Sequence, residues 1–193
     1  MKLFNFFRRK EISEIKNENC ICFHEDLFNQ VEFLPRENLS YLKTENKQIQ
    51  HFGEEHSDGL GFKDVYMRND NPITLADKKI TLDKLNKILT YYEFKKYSEV
   101  YEGYGSTKWK CENTFAYTYD GAEIFVSIKN DFINDFWINN FRFHEDFETK
   151  TKLRNLLSKI GNELDLILND WDLTTVIDLK DELEIQKYLD EEL

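Results

Sequence analysis

At 193 residues the chain is long enough to bury a core without disulfides or metal, and only seven Gly and two Pro against 40% hydrophobic residues exclude a low-complexity or disordered chain. Its 26 basic and 37 acidic residues leave a net charge of −11, which repels phosphate backbones and anionic lipid. Nucleic acid and membrane are thereby disfavoured as partners, and a basic protein is permitted.

Residues 1–10, MKLFNFFRRK, put a short apolar run before three basic residues, the wrong order and length for a signal peptide. The expectation is a terminal helix that packs on the body or touches a membrane surface, with residues 1–18 loosely attached. No run approaches the roughly 18 apolar residues of a transmembrane helix. An odd set of cysteines, Cys20, Cys22 and Cys111, points to a reducing, cytoplasmic setting.

Cys20-Ile-Cys22-Phe alternates like a strand, and residues 30–34 form a second one closed by Pro35, which suits a helix start. Leu39, Leu42, Ile49 and Phe52 recur at a helical period over residues 37–52. Residues 53–72 read as loop and short strand, with Val65-Tyr66-Met67 as the apolar part. Thr81 then caps a helix whose stripe is Leu82, Leu85, Ile88 and Leu89.

Residues 97–140 hold the most regular strand signals. Val100-Tyr101 and the Gly103-Tyr104-Gly105 turn lead into a meander. Phe115, Tyr117 and Tyr119 alternate with small residues, Asp120-Gly121 supplies a two-residue type I′ turn, and Ala122, Ile124, Val126 and Ile128 alternate on the return. A three-residue loop at Lys129-Asn130-Asp131 would place Phe132, Phe136 and Ile138 on the face of Ile124 and Val126. A two-residue loop would place Ile133 and Trp137 there instead; the three-residue loop is the expectation.

Phe147, Leu153, Leu156, Leu157, Ile160 and Leu164 mark a long helix that Gly161-Asn162 is expected to stop. Residues 164–168 read as a strand, 169–173 as a turn holding Trp171, and 175–179 as the returning strand. Residues 180–193 fit a short helix with Leu183, Ile185, Tyr188 and Leu189 inward. The predicted whole is a single α+β domain over 1–193, a mainly antiparallel sheet built on a central meander with helices packed on it.

Motifs for chemistry are weak. Cys20, Cys22 and His24 share one side of a strand, but a straight strand spaces zinc ligands poorly even with Cys111 as a fourth, so no metal and no cofactor is expected. His51 and His56 are five apart, about 140° around a helix, and Gly53 is expected to interrupt it, so they are not a metalloprotease pair; His51 and Glu55 are spaced to meet. Residues 103–108 lack the Gly-Lys-Ser/Thr ending of a phosphate loop and read as a β-turn. The sequence nominates no catalytic set.

Residues 161–193 carry eleven acidic residues against Lys180 and Lys187, a charge of −9. A charge run is most often a solvated face. Within it, Asp170-Trp171-Asp172 sets two carboxylates beside a large ring, a pattern suited to a basic protein partner. The plainer reading is that Trp171 caps the core while the two aspartates stabilise the turn. Surplus rings, sixteen Phe, ten Tyr and three Trp, suit an interface unless AT-rich coding simply inflates them.

Gly-Tyr-Gly-Ser at 103–106, the run 111–117 (CENTFAY), Ile124-Phe-Val126 and Phe136-Trp-Ile138 together resemble small bacterial proteins encoded beside toxins. The tail, with residues 164–171 (LDLILNDW), 176–181 (VIDLKD) and Tyr188-Leu189, resembles the ends of immunity proteins of polymorphic toxin systems. The resemblance implies a cytoplasmic, non-enzymatic protein that binds and blocks a toxin domain. The candidate face is Asp170, Trp171, Asp172, Asp178, Asp181 and Glu182, with Tyr101, Tyr104 and Trp109 as second choice, in a monomer or homodimer. Two other readings stand beside it: a scaffold docked through residues 1–10, and a hydrolase in which His51, Glu55 or His24 converge in a cleft between the sheet and residues 37–52.

Overall fold

A computed structural model describes residues 19–59, 61–105 and 107–192, so the expectations for residues 1–18 lie outside the described residues. In chain order the elements are β1 (Cys20–Phe23), β2 (Val31–Pro35), α1 (Leu39–His56), α2 (Leu75–Lys78), α3 (Leu82–Tyr91), β3 (Lys95–Tyr97), β4 (Glu99–Tyr104), β5 (Thr107–Lys110), β6 (Thr114–Tyr119), β7 (Ala122–Lys129), β8 (Phe132–Asn139), α4 (Phe147–Leu164), β9 (Leu166–Asp170), β10 (Thr175–Ile177) and α5 (Glu182–Leu189). A seven-stranded antiparallel sheet runs β10-β9-β2-β8-β7-β6-β3. The class is α+β, with helices packed on that sheet.

One entry to the meander differs from expectation. Val100 and Tyr101 lie on β4, which joins β1 and β5 in a separate three-stranded sheet, and it is β3 that pairs with β6. β1 and β4 run parallel, a pairing that local alternation cannot show because its partners are some eighty positions apart.

Strand alternation sorts the large sheet into two faces. Phe33, Tyr117, Ile124, Val126, Phe136, Ile138, Leu166, Leu168 and Ile177 meet α3, α4 and α5 in the main core. On the other face, Leu34 and Ile167 pack under Leu42 of α1, while Ala116, Phe125 and Trp137 pack under Phe23 and Val100 of the small sheet. Two different layers thus share the second face.

The β7–β8 turn corrects one expectation and satisfies its purpose. Lys129 pairs with Phe132, so the loop is the two residues Asn130-Asp131, with φ of 52° and 68°. A bulge then intervenes, since Ile128 pairs with Ile133 but Ser127 pairs with Asp135. The extra residue, Asn134, flips the remainder, and Phe136 and Ile138 come opposite Val126 and Ile124 as burial requires.

Caps match their sequence signals. Thr81 accepts from the Lys84 N–H and Asp146 from the Thr149 N–H, fixing the starts of α3 and α4. A Thr74/Asp77 capping box builds the short α2, which periodicity alone does not reveal. Gly53 lies inside α1 and Gly161 inside α4, so neither glycine stops its helix; Asp165, with φ of 57°, ends α4. Leu183 is exposed, not inward as expected, and residues 65–70 form no strand. No described helix is long and apolar enough to cross a membrane.

Candidate functional site

The pairing register puts Val176, Asn169, Glu32, Trp137, Phe125, Ala116 and Tyr97 in one row across the second face of the large sheet. Its polar centre falls where the two covering layers meet. On one side, Asn169 accepts from Asn46 Nδ2 of α1 at 2.9 Å. On the other, Trp137 stacks on Phe125 at 5.2 Å and meets the edges of Phe23 and Phe28 at 5.3 and 4.9 Å. Glu32 stands between them on β2, half-buried.

Trp171 Nε1 donates to Glu32 Oε1 at 2.8 Å, and the Arg68 guanidinium lies 4.4 Å over the Trp171 ring. Burial pushes the Glu32 carboxyl up to about 7; the Trp171 hydrogen bond and the Arg68 charge oppose this, and the Asp135 charge adds to it. Asp135 is held on β8 by Ser127 Oγ and, at 2.9 Å, by Asn134 Nδ2. Among the described residues, buried Trp137 Nε1, Asn169 Nδ2 and Asn46 Oδ1 have no hydrogen-bond partner. Polar capacity is therefore left over along this seam, beside a carboxyl that changes charge near neutrality.

Nothing in the sequence pattern marks Glu32. Within Val31-Glu32-Phe33-Leu34 a lone carboxylate reads as the solvent side of a half-buried strand, and only the coverage of both sheet faces makes it unusual. The residues expected for acid–base work lie elsewhere. His51 pairs with Glu55 at 3.4 Å on an exposed part of α1, and His24 lies against Tyr104 and Asp26. Among the described residues no group of three or more His, Cys, Asp or Glu is arranged to hold a metal ion.

The expected partner face is divided by the fold. Asp170 is fully buried, so it is no surface contact: its Oδ1 accepts from the Leu173 N–H at 2.9 Å and its Oδ2 from the Tyr188 hydroxyl at 3.0 Å. Arg142 Nε stands 3.7 Å from the same carboxylate. Trp171 is half-buried against Leu34, Leu42 and Ile167, as the capping reading has it. Asp178 is held by Arg36 at 3.1 and 2.5 Å, and that pairing keeps its carboxyl below the usual range. Asp181 caps α5 through the Leu183 and Glu184 N–H groups. Asp172 and Glu182 are exposed. In the second set Tyr101 is buried and donates to Glu99 at 3.1 Å, which removes it as a surface anchor, whereas Tyr104 is exposed and Trp109 half-buried on the β4–β5 hairpin.

No protein-family model matches this chain, and neither a curated protein nor a solved structure matches it.

Proposed function

We propose that this chain is a binding protein for a basic protein partner, acting as an immunity protein that occupies a toxin domain. One observation carries the reading: the acidic tail keeps unspent charge at its surface. Glu163, Asp165, Asp178 and Asp190 are paired with Lys159, Lys78 and Lys180, Arg36, and Lys150, while Asp172, Asp181, Glu182, Glu191 and Glu192 are exposed. Such a surface speeds encounter with a cationic partner and suppresses acidic ones. The test is to express the polypeptide encoded beside this gene alone and together with this chain. Growth arrest relieved by this chain, with a complex that weakens at high salt and in Asp172→Asn/Glu182→Gln, is the expected result; unrelieved growth arrest and no complex would sink the reading.

A second reading, a hydrolytic site, draws on Glu32 in place of the expected histidines. A carboxyl titrating at about 7 beside an indole N–H is suited to proton transfer at neutral pH. Its signature would be ester cleavage whose pH profile inflects near 7 and which Glu32→Gln abolishes.

A further inference from the structure

Residues 62–69 form an exposed segment that carries three large apolar side chains. Phe62, Val65 and Met67 are 71%, 74% and 80% exposed. Half-buried Tyr66 and the exposed Arg68 and Asn69 tie the segment to the body. Tyr66 Oη donates to Glu45 Oε1 at 3.2 Å, the Asn69 N–H donates to the same oxygen at 3.3 Å, and Arg68 covers Trp171. Glu45 is itself buried on α1, so the segment is fastened to the body by an interior carboxylate. Its start is fastened as well: the Lys63 N–H donates to the His56 carbonyl at 2.9 Å, and Phe62 bridges Ser57.

Three large apolar side chains are thus displayed on a supported backbone, while groups that water would solvate at no cost are used to hold it. Exposed apolar clusters of this kind mark contact surfaces, and a pre-ordered display lowers the entropy lost on binding. Met67 adds an adaptable anchor. The surroundings are acidic, since residues 54–70 contain Glu54, Glu55, Asp58, Asp64 and Asp70 against Lys63 and Arg68, a net −3. Asp172 follows directly on the Trp171 that Arg68 covers.

We propose that residues 62–70 are the docking surface for the basic protein partner, with Phe62, Val65 and Met67 filling apolar hollows on it and Asp64 and Asp70 meeting its Lys and Arg residues at the rim. This rests on the binding reading above and gives that reading an apolar centre, which the tail acids lack. The probe is the polypeptide encoded beside this gene, titrated against the wild-type chain and three variants: Phe62→Ser/Val65→Ser/Met67→Ser, Val65→Lys/Met67→Lys, and Glu182→Gln/Glu191→Gln. Both segment variants should bind about 100-fold more weakly while unfolding at the wild-type urea concentration, and the tail variant should bind no more than about tenfold more weakly, by an amount that high salt removes. Wild-type affinity in both segment variants would overturn the docking surface and leave the partner reading in place. Absence of binding by the wild-type chain would overturn that reading and the surface with it.

Discussion

The Tyr188 hydroxyl of α5 donates to the Asp170 carboxylate at the end of β9 across 3.0 Å, with both side chains buried. Burial first, and then the Asp170 charge, pushes the phenol far above its ordinary pKa, so it remains a donor at every working pH. This contact ties the last helix to the sheet, with Arg142 Nε 3.7 Å from the same carboxylate oxygen and its guanidinium 5.6 Å from the Tyr188 ring.

Tyr188→Phe should therefore cost about 1–3 kcal/mol in urea unfolding, because a buried acceptor loses a partner. Asp170→Ala should cost about 3–5 kcal/mol by leaving Arg142 opposite nothing. The Tyr188→Phe/Asp170→Asn pair should be non-additive; additive losses would mean the two groups do not act together. Any weakening of partner binding in an Asp170 variant then reports on the fold, since that side chain never reaches the surface.

Glu32 gives the stability a pH dependence of its own. Its carboxyl goes from 4.5 to about 7 on folding, so between those values the folded state holds a proton that the unfolded state has released. Stability from this group is complete below about pH 4.5, falls as pH rises through 7, and is flat beyond. Because Glu32 is half-buried, the loss is at most about 2–3 kcal/mol. Glu32→Gln keeps an acceptor for Trp171 Nε1 and should unfold at a higher urea concentration than wild type at pH 8, with the two converging near pH 4.5. A constant difference across that range would refute the assignment.

Most elements were legible because their signals are local. Thr81 announces its helix, Asp120-Gly121 its hairpin, and Pro35 the end of its strand. What escaped depends on who covers whom. Glu32 sits in a strand that reads as half-buried and Asp170 in a stretch that reads as a turn, and their burial follows from α5 on one face and from α1 with the β1-β4-β5 sheet on the other. The display of Val65 and Met67 is equally non-local, because Val65-Tyr66-Met67 looks like a strand until Glu45 is known to hold Tyr66. Of the expected partner residues, Asp172 and Glu182 of the tail are exposed, while Asp170 of the tail and Tyr101 of the second set lie in the interior.

Asn134 tests how the meander chooses its register. With Asn130-Asp131 as the turn and no bulge, Phe136 and Ile138 would move to the face that Trp137 now occupies and Trp137 would enter the main core. Deleting Asn134 should therefore abolish cooperative unfolding and near-ultraviolet dichroism, since it misplaces three buried side chains at once. A variant lacking Asn134 that unfolds cooperatively at the wild-type midpoint would show that the strand can slide to restore its faces.

Gly161 distinguishes two reasons for a glycine near a helix end. As a stop signal it would sit in the left-handed region, where alanine costs stability, whereas inside an uncrowded helix it would gain about 1 kcal/mol from alanine. In the structure it lies within α4, and a Cβ built on it would stand 2.5 Å from Leu179 Cβ and closer still to the Leu179 carbonyl oxygen. Backbone and side chain of Leu179, itself fully buried, would both have to move. Gly161→Ala should consequently destabilise by about 1–3 kcal/mol in urea unfolding, the overpacking cost exceeding the propensity gain. Shortening the neighbour by Leu179→Ala should not rescue it, because the carbonyl oxygen remains in the way. A neutral or stabilising Gly161→Ala would place α4 further from residue 179 than the structure has it.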